Sequence, residues 1–354
     1  MARVATLIRS QDQPTIDSLL EGLVTSGLLE GNHVQQSFNA HRQIVFFAVG
    51  SITSLFTPEM PDQGTQDLCF RIRAERTKIF TSMSLPIQIA ERPLSELIQA
   101  MGTSLTPTKR SRQAVHDSLD LSVAHLAQCF SVSHLNGNVL RSVGGISVEW
   151  VDSISAHLDF DVVHKRLFLF RSPSFCEVSC SQDSAVARVL ESLYDEWTRP
   201  HGFSAPAFLR EIMLSTRLIF GDSKGGRCMY QRHEKTRAEQ WGVRDHLLDQ
   251  LCGLARANVG STQPIPDPMT ESYEKDEFFP LLTPRLEALQ KYMIRQHPNR
   301  WKALWADKRD LTRWYTLWAV AIFGSIGVLL SVIQCALSAV QIAVAYRTLA
   351  LSAV

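Results

Sequence analysis

A charge-free apolar run near the C-terminus constrains the chain more than any other feature. From Trp314 to Tyr346 there is no Asp, Glu, Lys or Arg, and no Pro, Asn or Asp turn divides the run. About 20 apolar residues, each adding ~1.5 Å of helix length, span the ~30 Å hydrocarbon layer of a bilayer. The sequence therefore predicts one transmembrane helix, over residues 314–341, and not a two-helix hairpin.

The residues in and around this run predict how the helix is anchored and oriented. Aromatic rings favour the headgroup boundary and large apolar side chains the hydrocarbon layer, so the expected anchor residues are Trp314, Tyr315, Trp318, Phe323, Leu329, Leu330 and Ile333. A basic flank precedes them, formed by Arg300, Lys302, Lys308, Arg309 and Arg313. Only Arg347 follows. The positive-inside bias then places the N-terminal body in the cytosol.

The rest of the chain agrees with a cytosolic body. Residues 1–9 lack the apolar h-region of a secretory signal, and none of the six Asn residues begins an Asn-x-Ser/Thr acceptor. Because the anchor comes last, we expect membrane insertion to follow synthesis. The expectation is a tail-anchored, single-pass protein of an intracellular membrane, with the endoplasmic reticulum as the expected organelle.

The composition predicts a folded body without a nucleic-acid partner. Charged residues make up 20% of the chain and hydrophobic residues 45%, which excludes a largely disordered chain. Lys and Arg number 36 against 35 Asp and Glu, a formal charge of +1. That balance opposes the broad basic field of a nucleic-acid binder.

Helical spacing of apolar residues along the body predicts a mostly α fold with a small β component. We expect the following segments: an N-terminal α/β segment at 1–105, a helix plus β-hairpin segment at 113–182, a helical segment at 183–258, a linker at 259–284, a pre-membrane helix with its basic flank at 285–313, and the transmembrane helix at 314–341. The hairpin follows from apolar alternation at Leu158–Val162 and Leu167–Leu169, around a polar turn. Two helices before a hairpin resemble a winged-helix module.

Three titratable residues near the hairpin are the candidate catalytic group. His157, Asp159 and Asp161 alternate, so on a strand they share one face, as metal ligands or acid–base groups do. The alternative places them on the solvated face of the hairpin, with the alternating apolar residues, Val162 included, in the core. We favour the solvated face.

No other motif identifies a chemistry. Cys176 and Cys180, and Cys228 with His233, lack the second half-site of a zinc-ligand pattern. The glycine-rich stretch 221–226 lacks the P-loop order and follows a predicted helix, so we interpret it as a helix C-cap and turn. We therefore expect no cofactor and no bound metal, and the sequence names no small-molecule ligand.

Three stretches resemble an uncharacterised family of fungal membrane-anchored proteins. They are residues 149–161, residues 165–176, and the segment from Asn299 to Arg309 together with the Trp-Tyr-Thr-Leu-Trp start of the anchor. The resemblance covers about the C-terminal two-thirds of the chain. It implies a C-terminal transmembrane helix. The family has no assigned reaction, so the resemblance implies no catalytic residues.

Two functions remain open at this stage. The first is a non-enzymatic interaction or scaffold module, held on the bilayer and binding protein partners on the cytosolic face. The second is a membrane-tethered accessory enzyme of a fungal small-molecule pathway. A deep apolar pocket with convergent polar groups and perturbed titratable residues would favour the enzyme, and a flat body would favour the interaction module.

Overall fold

Helices dominate the fold because apolar residues recur at helical spacing along most of the chain. The computed structural model describes residues 1–29, 35–61, 67–73, 80–102, 128–180, 183–194, 203–239, 244–254, 270–296 and 311–352. Helices account for 64% and strands for 12% of the structure. The predicted mostly α fold with a small β component is therefore confirmed.

The N-terminal part begins with amphipathic helices. They are α1 (Ala2–Ser10), α2 (Ile16–Thr25), α3 (Gln35–Thr53) and α4 (Leu94–Ala100), with a 3₁₀ turn at Ile87–Glu91 before α4. Thr15 is the N-cap of α2: its side chain accepts the backbone N–H of Ser18, and the Thr15 N–H donates to the Ser18 hydroxyl oxygen. This reciprocal capping satisfies two N–H groups that a helix start leaves open.

A small antiparallel sheet follows α3. Its strands are β1 (Thr57–Pro58), β2 (Leu68–Arg73) and β3 (Phe80–Leu85), in the order β1-β2-β3. The apolar run 43–49, which fits a buried strand or a core helix equally from the sequence, lies inside α3. Apolar and polar residues do not alternate clearly along β2 and β3, so the sequence does not predict these strands.

The middle of the body contains the predicted hairpin. The elements are β4 (Cys129–Ser131), α5 (Val132–Leu135), α6 (Gly137–Ser142), β5 (Ser147–Val151), a 3₁₀ turn (Ile154–Ala156), β6 (Phe160–Asp161) and β7 (Arg166–Phe170). Strands β6 and β7 pair antiparallel, and β5 adds to β7 in parallel. The helix predicted before the hairpin lies mostly outside the described residues, and Phe130, at its expected end, is in β4. The winged-helix resemblance stays a prediction.

A buried central helix organises the second half of the body. The elements here are α7 (Pro173–Ser179), α8 (Ala185–Ser192), α9 (Ala205–Phe220), α10 (Lys224–Met229), a π-helical turn (Tyr230–Glu234), α11 (Lys235–Ala238) and α12 (His246–Leu251). Helix α9 is buried along most of its length and packs against α7, α8, α10 and α12. Ser204 is its N-cap and Pro206 lies in its first turn, a position where proline is common because its missing N–H would have no partner within the helix.

The predicted linker is shorter than the sequence suggests. Residues 270–282 contain β8 (Ser272–Glu274) and α13 (Lys275–Phe278), and α14 (Thr283–Arg295) follows. Strand β8 pairs antiparallel with β4, and both Tyr273 and Phe279 are fully buried. The five Pro and several acidic residues of 260–284 are typical of a linker. The sequence does not predict β8 because its partner strand, β4, lies far away along the chain. Residues 259–269 lie outside the described part.

The chain divides into two compact units. The first, Met1–His297, includes the N-terminal, hairpin and helical segments that the sequence separates. The second, Pro298–Val354, consists, in its described part, of helix α15 (Leu311–Ser352).

Candidate functional site

Helix α15 is the feature of the structure with the clearest functional meaning. In the described part of the chain, one helix is long and apolar enough to cross a membrane, and its candidate span is Trp318–Ala345. The span has 28 residues and a mean hydropathy of 2.2, and none of its apolar window is buried in the structure. At ~1.5 Å per residue, 28 residues exceed the ~30 Å hydrocarbon layer. The helix is continuous from Leu311 to Ser352, as the absence of a turn signal predicts, and it continues beyond residue 341.

The predicted anchor residues lie along this helix with their apolar side chains exposed. The exposed ones are Tyr315, Phe323, Leu329, Leu330 and Ile333, and Trp318 is half-buried. A continuous apolar surface of this size is unfavourable in water and favourable in lipid. The hydroxyls of Ser325 and Ser331 donate to the carbonyls of Ala321 and Gly327, so they bring no unsatisfied donor into hydrocarbon.

The basic flank of the anchor lies mostly outside the described residues. Arg300, Lys302, Lys308 and Arg309 belong to residues 297–310, and Arg313 and Trp314 lie in the first turn of α15. The orientation of the helix therefore continues to rest on the sequence.

The structure separates the three candidate catalytic residues. His157 is fully buried, Asp159 is half-buried and Asp161 is 1% exposed. They do not alternate on a strand, because Leu158 has a φ of 60° and β6 begins only at Phe160. Val162, expected in the core, is 48% exposed. Leu158 and Phe160 are in the core, as the solvated-face interpretation expects, but His157 and Asp161 are buried as well and do not form a solvated strand face. A catalytic role for the three residues stays a prediction.

His157 is bound on both ring nitrogens by interior groups. Its Nδ1 accepts the backbone N–H of Phe170 at 3.0 Å, so the ring proton is on Nε2, which donates to Ser215 Oγ at 2.7 Å. The Ser215 hydroxyl in turn donates to the Ile212 carbonyl at 2.9 Å. A general base for a serine must accept from the hydroxyl, and here the ring donates to it. The pair thus holds the hairpin against α9 and does not form a nucleophile–base pair.

Burial keeps this imidazole neutral. Burial, together with the Arg285 guanidinium, lowers the pKa of His157 to about 3. Arg285 of α14 donates to the backbone carbonyls of Ser155 and His157, which fixes the turn before the hairpin from the other side. His157 is thus a structural link between the hairpin, α9 and α14.

Asp161 closes the hairpin turn. Its Oδ1 accepts the backbone N–H groups of Val163 and His164, and its Oδ2 is 2.8 Å from His164 Nδ1. Burial alone would raise the pKa of Asp161, but the hydrogen bonds from His164 and Val163 outweigh it and lower the pKa below its ordinary value. Both oxygens of the Asp161 carboxylate are therefore hydrogen-bonded within the turn.

A cleft of about 390 Å³ lies beside the start of α9. Pro206, Arg210, Phe278 and Pro280 line it, and Glu211 borders it at 2% exposure. Burial raises the pKa of Glu211 to about 8, although backbone N–H groups oppose the rise. No sequence motif marks this residue, because its environment forms only when α9 meets the turn before α14.

The Glu211 carboxylate is engaged by the protein itself. Both of its oxygens lie 3.1 Å from the backbone nitrogen of Leu281, and Oε2 also accepts the N–H of Leu282 at 2.7 Å. These N–H groups precede α14 and have no partner within that helix. Glu211 therefore caps the entry to α14.

Further buried polar groups join distant segments. Tyr273 of β8 donates to Asp222, which also accepts from Arg217 of α9. Lys275 pairs with Glu287 at 3.1 Å. Among the described residues, no group of three or more His, Cys, Asp or Glu side chains has the arrangement of a metal site. Within the stretch 221–226, Gly221 is the C-cap of α9 and the next two residues form a turn, as expected, whereas Lys224 to Gly226 already belong to α10.

Comparison of the chain with protein-family models, with curated proteins and with solved structures finds no match.

Proposed function

We propose that the chain is a single-pass membrane protein, anchored through helix α15, whose N-terminal body lies in the cytosol and binds partner proteins there. The observation that carries the proposal is the exposed apolar span Trp318–Ala345. The basic flank before the span and the uncharged run itself indicate that the N-terminal side of the helix faces the cytosol. Tail anchoring and an endoplasmic-reticulum address are parts of the same proposal, as is kinship with the fungal membrane-anchored proteins.

The turn of the hairpin supports an interaction role for the body. Val162 and Val163 are 48% and 76% exposed in the turn between β6 and β7. Turns ordinarily contain Gly, Asn or Asp, because these residues satisfy the turn backbone and stay solvated. Two adjacent valines instead present apolar surface at the tip of a hairpin. We propose this tip as a contact for a partner protein.

The second candidate, a membrane-tethered accessory enzyme of a fungal small-molecule pathway, has one feature in its favour. The cleft beside α9 is bordered by a carboxyl whose pKa is raised to about 8. Perturbed titratable groups in clefts are enriched at active sites. However, the Glu211 carboxylate is occupied by three N–H···O contacts and is almost inaccessible, so the interaction module is the better-supported function.

Proximity labelling from an N-terminal fusion tests both parts of the proposal. The wild-type chain is expected to label cytosolic proteins and the cytosolic faces of one organelle's membrane proteins. A Val162→Asp/Val163→Asp variant is expected to keep the organelle markers and lose specific partners. Val178→Asp is the matched control, since Val178 is an equally exposed valine on α7. Labelling of luminal proteins by the wild type would exclude the cytosolic body, and an unchanged partner set would exclude the hairpin tip.

A further inference from the structure

The body has a second cleft, and none of the residues that the sequence predicted as a site lines it. It has a volume of about 350 Å³ and is lined on one side by Arg141, Gly145 and Ser147, and on the other by His233, Glu234 and Arg237. The volume is at the lower end of the roughly 300–1,000 Å³ range of ligand pockets, which suits a small ligand or a headgroup.

The cleft carries more positive than negative charge. Among the described residues, its one acidic group is Glu234, which is 2% exposed and is held by Arg237 at 3.1–3.2 Å and by the Trp150 indole N–H at 3.3 Å. That carboxylate is neutralised by Arg237. Arg141 is exposed, and no described acidic side chain pairs with it.

A second cation, which no described acidic side chain pairs with, lies beside the cleft. Gly145 has a φ of +66°, and the Nζ of Lys165 is 3.7 Å from the position that a Cβ on Gly145 would occupy. Because Gly145 lines the cleft, the ammonium group of Lys165 lies beside that wall. Arg141 in the lining and Lys165 beside Gly145 place two positive charges near the same wall, and His233 is on the opposite side.

The wall that presents His233 and Arg237 is a π-helical turn, Tyr230–Glu234, continuing into α11. Single π-turns are rare and occur frequently at functional sites. This one is fixed by packing: the Tyr230 ring lies 5.5 Å from Phe220 and 6.3 Å from Trp150, centroid to centroid. The Trp150–Glu234 hydrogen bond holds the same turn from the cleft side. These contacts pack the wall of the cleft against Trp150 and Phe220.

We propose that this cleft binds a phosphate monoester. A phosphate monoester carries about −1.5 to −2 charges at neutral pH, which matches Arg141 and Lys165, two cations that no acidic side chain pairs with in the part of the chain that the structure describes. The guanidinium of Arg141 offers paired donors for two phosphate oxygens, and Lys165 supplies a point charge. The Ser147 hydroxyl and the imidazole of His233 complete a polar lining. The proposal does not depend on whether α15 spans a membrane.

The same chemistry is available from two sources, a soluble phosphorylated metabolite and the headgroup of a phosphoinositide lipid. Titration calorimetry on the purified full-length chain in neutral detergent distinguishes them. The probes are glycerol 3-phosphate and dibutanoyl phosphatidylinositol 4-phosphate, with glycerol as the uncharged control. Saturable binding of either phosphorylated probe, without binding of glycerol, supports the site; the probe with the higher affinity identifies the source.

Variants locate the binding in the cleft. Arg141→Gln and, separately, Lys165→Gln are each expected to weaken binding by about 10-fold or more, the effect of losing one charge-assisted hydrogen bond. Arg188→Gln, at an exposed arginine of α8, is the matched control and is expected to leave affinity unchanged. Thermal unfolding of each variant checks that the fold is intact. No saturable binding by the wild-type chain, or equal weakening by Arg188→Gln, would overturn the proposal.

Discussion

At the scale of single residues, the buried polar groups of the body explain its architecture better than they explain any chemistry. His157 joins the hairpin to α9, and Glu211 joins α9 to the turn before α14. In each case the side chain satisfies backbone N–H groups that would otherwise be buried without a partner, which costs about 1–3 kcal/mol per group. The sequence identified His157 as a candidate, but its role depends on contacts with residues 13 and 58 positions away.

Replacement of His157 tests its structural role. In His157→Ala the N–H of Phe170 loses its acceptor and a cavity replaces the ring, so we expect the free energy of unfolding to fall by about 2–4 kcal/mol. Chemical denaturation monitored by circular dichroism measures the change. His233→Ala, at an exposed histidine, is expected to stay within about 0.5 kcal/mol of the wild type. Equal stability of the two variants would contradict the account.

The raised pKa of Glu211, about 8 in the folded state against an ordinary value of 4.5, has a defined consequence for stability. Between these values the folded chain binds more protons than the unfolded chain, so the contribution of Glu211 is fully present below pH 4.5 and is lost as pH rises through about 8. Glu211→Gln removes the titration. Urea unfolding across this pH range is expected to show the variant gaining stability relative to the wild type as pH rises. Parallel curves would show that the carboxyl has an ordinary pKa.

At the scale of elements, the sequence predicted those whose signals are local. The burial of Leu19, Leu20 and Leu23 in α2 and the capped start of α9 follow from residue spacing and capping chemistry. The β6–β7 hairpin was also predicted. The pairing of β5 with β7, and of β8 with β4, was not, because each joins strands that are separated along the chain and no local pattern specifies a partner.

Helices α9 and α12 pack closely where Gly221 meets the backbone of Leu251. A Cβ on Gly221, at the end of α9, would lie 2.1 Å from the backbone carbonyl oxygen of Leu251. Because that oxygen cannot move without shifting α12, we expect Gly221→Ala to destabilise the body by about 3 kcal/mol in thermal or chemical unfolding.

Gly225→Ala is the matched control for this crossing. Its Cβ would lie 3.2 Å from the Asn138 side chain, and alanine is a better helix former than glycine, so a change within about 1 kcal/mol is expected. If both substitutions had the same small effect, α9 and α12 would not be packed as closely as the structure shows.

At the scale of the whole molecule, the chain combines a folded body with an exposed apolar helix. The sequence predicted the helix correctly because a long, charge-free apolar run is a signal that composition alone carries. The body is different: its clefts and interior links form where residues distant in sequence meet. No sequence motif therefore indicated its two candidate sites, the cleft bordered by Glu211 and the cationic cleft at Arg141.

Extraction of membranes with alkaline carbonate tests directly whether α15 spans a bilayer. If it does, the full-length chain is expected to stay in the membrane pellet. A Leu330→Arg/Ile333→Arg variant is expected to move to the supernatant, because each charge near the centre of the span costs about 2.5–3.5 kcal/mol on insertion. The conservative swap Leu330→Ile/Ile333→Leu is expected to remain in the pellet. Release of the wild-type chain by carbonate would contradict the account.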